Sequence, residues 1–443
     1  MLFSKANFGT FSTSLAIQAC GAATGILAAR LLGPVARGEL ATVILWPVIL
    51  SNMGLMGCNW VLAREVAKDP ERERDWTAAG VAVGLVTALF FFAAGYVVIP
   101  WLLPPDRSYL LPLARLCLLL IPLDICNQIL LAVEHGRMRW RRYNLLRLSM
   151  VLFYLALILL VGVARKSQVR WFVAAFLGSQ VLAVVLRLWI HRRALVSGSP
   201  RIGQCRHLLQ AGAPYFGATV SNLISLQLDT VLVVSFLNIE AAGIYAVAGA
   251  FANGQASLGE ALGITSFAVL SNERNAQSQE KIITETFRQS ALVSCAAGLA
   301  LAGLLPLLVV PLFGAAFSRA VGPAVILALA TSLMGSANIL NQGLRGAGRP
   351  HAGLASQLIG AGVMALAGLL LLRWFGLAGM ALAVWLSACV QLAVLIAAAA
   401  KWLKVSPLQF WPFGAGNFRL FFQQVSGLRL RFLRSPAQTF AAN

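Results

Sequence analysis

Three acidic residues sit where the chain is otherwise too apolar to hold a charge: Asp229, Glu260 and Asp124, the last in one apolar run with Arg115. A charge at the centre of a bilayer costs about 3 kcal/mol or more, so each needs a partner or a water-filled lumen. Thr219, Asn222 and Ser225 precede Asp229 at steps of three, three and four, which on a helix makes one polar stripe suited to a cavity wall. Glu260 falls within Gly259-x-x-x-Gly263, where small residues admit a close helix and the carboxylate must face water or a cation. Arg115 and Asp124 are nine residues apart, and about 13 Å along a helix axis separates them, so each needs a partner elsewhere. Asp229, Glu260 and Asp124 are expected to couple an ion, H+ or Na+, and the competing reading is structural pairing. Uncharged polar residues at Gln18, Asn52, Asn59, Asn222 and Asn253 complete the groups able to hydrogen-bond a solute.

The elements holding these groups must be membrane helices. Of 443 residues, 59% are hydrophobic and only 11% charged, whereas soluble domains run near a quarter charged. Apolar stretches of spanning length lie at 8–32, 38–63, 76–100, 109–133, 145–164, 171–190, 209–237, 242–270, 287–313, 321–344, 352–372 and 377–400. The expected fold is therefore an all-α integral membrane protein of about twelve transmembrane helices. The first helix carries a polar stripe and no small-residue cleavage site, so it is expected to stay.

A net charge of +20 would suit nucleic acid, but the basic residues lie in short loops such as Arg137-Met-Arg-Trp-Arg-Arg142, with no nucleic-acid-binding motif, so no nucleic-acid partner is expected. With both termini cytoplasmic, 26 of the 35 Lys and Arg fall inside, which sets the expected orientation. The seven cysteines stand singly and read as packing residues, not as a disulfide or metal framework. No H-E-x-x-H, Walker or nucleophile-elbow motif occurs, and the four histidines lie far apart near helix ends, so an enzyme is not expected.

A shift of 205 residues lays Leu32-Gly-Pro-Val-Ala-Arg-Gly38-Glu-Leu-Ala41 on Leu237-Asn-Ile-Glu-Ala-Ala-Gly243-Ile-Tyr-Ala246. The same shift carries Val48, Asn52, Leu55 and Asn59 onto Asn253, Ser257, Glu260 and Ile264, so polar positions share one face in both copies. Two six-helix lobes follow, 1–200 and 201–404, related by a pseudo-twofold axis along the membrane normal, with a cleft between them. Residues 405–443 read as a basic, aromatic cytoplasmic tail lying along lipid head groups.

The segment Ala28-Ala-Arg-Leu-Leu-Gly-Pro-Val-Ala-Arg-Gly-Glu39 resembles the turn between the first two helices of Wzx-type polysaccharide flippases, in the superfamily that includes MATE drug exporters. Asp229-Thr-Val-Leu-Val-Val-Ser-Phe-Leu and Ala242-Gly-Ile-Tyr-Ala246 are similar to that family's helices seven and eight, although Thr230 stands where the family often has Arg. The resemblance implies transfer of an undecaprenyl-diphosphate-linked oligosaccharide across the bacterial inner membrane by alternating access through a central polar cleft. Its implied partners are that lipid-linked oligosaccharide, membrane lipids, and a polysaccharide polymerase with chain-length machinery, the chain itself working as a monomer without a cofactor. A diphosphate would be held by guanidinium forks, and Arg115, Arg30, Arg64 and Arg345 are placed to offer them, the last three with snorkelling as the competing role. The alternatives are an ion-coupled exporter of small amphipathic or cationic compounds, and a membrane glycan polymerase or ligase, which would carry a larger outer loop.

Overall fold

The computed structural model describes residues 5–252, 276–346 and 350–412; Asn253, Glu260 and the tail beyond 412 lie outside the described residues. Its helices are α1 (Lys5–Gly54), α2 (Cys58–Lys68), α3 (Glu73–Leu102), α4 (Leu111–Cys117), α5 (Leu120–Gly136), α6 (Trp140–Val163), α7 (Val169–Ser197), α8 (Ile202–Phe236), α9 (Ile239–Ala252), α10 (Ala276–Phe313), α11 (Val321–Gly346) and α12 (Pro350–Leu403). Short 3-10 turns at Pro105–Leu110 and Ala315–Ala320 lead into α4 and α11.

α1 runs for 50 residues, and at 1.5 Å per residue that is about 75 Å, more than twice the ~30 Å hydrocarbon core. It therefore contains two crossings, divided at Gly33, whose φ of 71° and ψ of 178° are open to glycine and strained for other residues. Both halves return to one face. Thr10 accepts from Asn144 and Ser14 from Arg147 at the start of α6, while Cys58, just beyond the second half, bonds Leu208 at the start of α8. α12 is divided in the same way at Gly376 (φ 55°). Among the described residues nine helices are long and apolar enough to cross a membrane, the two divided ones each holding two crossings, and α9 is a shorter apolar helix. The expected five-residue loop at 33–37 is thus a single non-helical glycine, because Pro34 has the φ a first helical turn requires.

Helix two, expected as one run to residue 63, breaks at Met56 and Gly57, both with positive φ, and resumes as α2. The break lays Gly57 against the backbone of Gly212 in α8. The expected fourth helix is interrupted at Leu118 and Leu119 between α4 and α5.

Two cores result. One joins Val61, Leu62, Ile121, Ile125, Ile129, Phe172 and Val173 from α2, α5 and α7. The other joins Val233, Tyr245, Val247, Leu305, Phe317, Met364 and Met380 from α8 to α12, and takes Ala29 and Leu45 from α1. Lipid tails are as apolar as leucine, so cohesion here comes from close packing and buried hydrogen bonds, not from exclusion of water. Indoles of Trp101 and Trp374, at 84% and 80% exposure, mark the face carrying the Gly33 and Gly376 turns, called here the far face; the opposite one is the N-terminal face.

Candidate functional site

The two lobes meet at the far face around a reciprocal contact. A Cβ on Gly38 would run into the carbonyl of Ile239, and one on Gly243 into the carbonyl of Pro34. Both pairs differ by 205, the shift that aligned the two halves, so the sequence repeat is also a spatial one with its axis passing between these glycines. Only residues without a side chain allow the backbones this close.

Two guanidiniums flank the contact. Arg107, in the 3-10 turn before α4 and 2% exposed, donates Nη1 to Val234 O at 2.6 Å and Nη2 to Leu237 O. Arg30, near the end of the first crossing, donates Nε to Leu312 O at 2.7 Å and Nη2 to Pro311 O. Both arginines come from the first half, and both cap the carbonyl ends of second-half helices, α8 and α10. A cation at a helix C-terminus satisfies orphan carbonyls and opposes the negative end of the helix dipole. These contacts tie the two lobes together at the far face, as a latch. The candidate site is the region between the lobes beneath this seal.

On the N-terminal face α8 reaches across to the first half. His207 Nε2 lies 3.4 Å from Glu65 Oε1 and packs against Trp76, while Ser199 N donates to Asp75 Oδ1 at 3.1 Å. Burial opposes ionisation of Glu65, yet its bonds from Arg64 and His207 hold the carboxyl below the usual glutamate range. Gly212 and Pro214 follow this anchor and precede the spanning part of α8, Thr219–Phe236.

The expected site residues are distributed as follows. Gln18 on α1 and Asn222 on α8 are exposed; Asn59 is half-buried at the start of α2, and Asn52 donates to Val48 O of its own helix at 2.8 Å. Asp229 accepts from Tyr245 Oη at 2.8 Å and from Thr230 N at 2.6 Å, so its partners come from α8 and α9. Asp124 accepts from Ser51 Oγ at 2.9 Å. Arg115 places its guanidinium 4.4 Å from the Tyr96 ring centroid on α3, a cation–π contact. Arg64 pairs with Glu65 at 2.8 Å, and Arg345 is exposed at the end of α11. The structure thus brings Asp124 to Ser51 and Asp229 to Tyr245, and leaves the four arginines at four separate places.

Two arginines given no role from sequence are interior. Arg187, within the apolar stretch 171–190, is 2% exposed and donates Nη2 to Leu146 O at 2.8 Å; Arg107, between the stretches 76–100 and 109–133, is the latch. Around Arg187 a polar seam joins α5 to α7: Asn127 donates to Gln180 Oε1 at 2.8 Å, and fully buried Glu134 lies 3.1 Å from His191 Nε2 and 3.6 Å from Arg139. Arg187, Gln180 and His191 fall on one helical face at steps of seven and four, the signal by which the seam could have been found.

The same helix arrangement is found in solved structures of membrane transporters, a likeness of fold. An inward-facing multidrug resistance MATE family transporter of the MOP superfamily superposes with a TM-score of 0.76 at 13% identity, over 90% of this chain and 98% of that one. The lipid II flippase MurJ, in an inward closed conformation, gives 0.75 at 12% identity, over 98% and 93%. Residues 5–254 match the family described as polysaccharide biosynthesis protein, and the chain belongs to that family. The succinoglycan biosynthesis transport protein ExoT of Rhizobium meliloti (strain 1021) is 25% identical over 260 residues, 58% of this chain; the chain spans about half the length of that curated relative, the match covering 52% of it.

Proposed function

We propose that the protein translocates a lipid-linked oligosaccharide from the inner to the outer leaflet of a bacterial cytoplasmic membrane, for the making of a surface polysaccharide. The far face is the outer one on this reading, since the excess of Lys and Arg lies on the N-terminal face. The observation that carries it is the reciprocal seal at Gly38 and Gly243 in a member of the polysaccharide biosynthesis family. A seal that rests on symmetry-related backbone contact can be broken by rocking two rigid lobes, and the same rocking closes the opposite face. The sugar head crosses between the lobes while the lipid tail stays in the bilayer. The names of two relatives support the substrate class: one is a succinoglycan biosynthesis transport protein, the other a lipid II flippase.

Asp229 and Asp124 are the carboxylates assigned to H+ or Na+ coupling, and each already holds a hydroxyl partner that a protonation change would release. Glu260 and Asn253 keep their assigned roles in coupling and sugar contact. Arg115, Arg30, Arg64 and Arg345 are assigned to the diphosphate at successive points of its path and not as one cluster, Arg30 only after the latch opens. Depleting the protein in its host and measuring the leaflet distribution of lipid-linked sugar tests this: accumulation on the inner leaflet is expected, and an unchanged distribution would refute it. Transport by Asp229→Asn and Asp124→Asn that kept full dependence on the ion gradient would remove the coupling role.

A further inference from the structure

α6 and α7 are joined at the far face by a short turn, and toward the N-terminal face they line a groove of about 670 Å³. Three guanidiniums, of Arg142, Arg192 and Arg193, stand at its mouth, and Leu145, Leu152 and Trp189 line its wall. Leu146, also in its lining, accepts from Arg187 through its carbonyl.

The neighbouring cations differ from these three. Arg137 and Arg139 bind Glu73, at 3.0 and 3.1 Å, and Arg187 is consumed by the interior seam. No carboxylate lies within ion-pair distance of Arg142, Arg192 or Arg193 among the described residues, and all three are exposed. Arg192 is held over the Trp189 ring at 4.9 Å, an arrangement that keeps a cation at the level where an indole meets lipid head groups. The depth fits as well. Arg142 to Leu152 is ten residues of helix, about 15 Å, or half of a ~30 Å hydrocarbon core. The groove is therefore as deep as one leaflet, basic at the surface and apolar below.

We propose that this groove is a binding site for one anionic phospholipid of the inner leaflet, its phosphate held by Arg142, Arg192 and Arg193 and an acyl chain laid along Leu145, Leu152 and Trp189. The inference depends on the inner-leaflet orientation taken above, but not on transport. Charge complementarity selects an anionic head group over a zwitterionic one, because basic pockets at this level gain from each phosphate contact. The site lies on the outside of the first lobe, on the face of α6 that turns away from the contacts of Asn144 and Arg147 with α1.

The test is native mass spectrometry of the purified full chain with added phosphatidylglycerol, cardiolipin or phosphatidylcholine. One anionic lipid is expected to remain bound, and the triple variant Arg142→Gln, Arg192→Gln, Arg193→Gln to lose it by roughly 100-fold in affinity. Arg165→Gln with Arg170→Gln, at the far-face turn, is expected to leave it unchanged. Ser149→Trp fills the groove without touching a charge and is expected to expel the lipid too, which keeps the test valid if the triple variant misfolds. Equal retention in the triple variant and in Ser149→Trp would overturn the site, as would equal binding of phosphatidylcholine. Displacement by a polyprenyl diphosphate would overturn the assignment to a resident phospholipid. A chain that held the lipid yet left sugar distribution unchanged on depletion would sink the transport reading alone.

Discussion

Asp229 illustrates how little a residue's type says until its partner is known. The stripe of Thr219, Asn222 and Ser225 leads to it, yet its carboxylate is met by Tyr245 from the next helix. Removing that hydroxyl by Tyr245→Phe is expected to cost about 2 kcal/mol, the usual worth of a hydrogen bond to a charged group, read as a lower melting temperature in detergent. Protein that melted at the wild-type temperature would show the contact to be idle. Glu65 makes a second residue-level prediction. Its carboxyl is held below its ordinary pKa of 4.5, so the unfolded chain takes up the proton first as pH falls. The stability it contributes is present above pH 4.5 and is lost as pH drops through the folded value. Melting temperatures followed from pH 6 to pH 3 are thus expected to fall less steeply in Glu65→Gln than in wild type. Identical slopes would mean that Arg64 and His207 do not act on this group.

At the level of whole helices, the latch depends on two arginines that cap helices they do not belong to. Arg107→Gln leaves the carbonyls of Val234 and Leu237 without a cation, and a loss of about 2 kcal/mol would favour opening of the far face roughly thirtyfold. Ala242→Cys, 3% exposed beside Gly243, offers a reporter in a background without the seven native cysteines: an impermeant maleimide is expected to label it faster when Arg107→Gln is added, and an unchanged rate would refute the latch. Gly38→Val acts on the same element by volume. Its side chain would meet the backbone of Ile239, which cannot rotate aside, so the lobes must part. The same reporter is expected to react faster there, and faster still when both changes are combined, because the latch and the glycine contact are separate interactions. The anchor of α8 on Glu65, Trp76 and Gly57 puts the bending point for such parting just beyond it, at Pro214, where the helix lacks a backbone donor.

For the molecule as a whole, a sealed far face means that a group between the lobes is reachable only from the N-terminal side. Asn222→Cys, in a background without the seven native cysteines, is expected to react with a permeant reagent and to be protected from an impermeant one applied outside cells. Outside labelling without added substrate would contradict the resting state described. Much of this architecture was legible from the chain alone. Lipid imposes one requirement on every crossing, that its backbone be internally bonded and its surface apolar, so composition and run length announce helices with little ambiguity. The Gly38 and Gly243 repeat was equally visible, because a backbone-to-backbone contact admits one residue type and leaves the same mark in both halves. What sequence could not supply was the destination of the charges. Arg107 fell between two expected helices and Arg187 near the end of one, and they became a latch and a buried tie when helices distant in sequence brought carbonyls and a carboxylate-bearing seam to them. A charge in a membrane protein takes its meaning from its partner, and partners separated by 41 or 127 residues are set by packing alone.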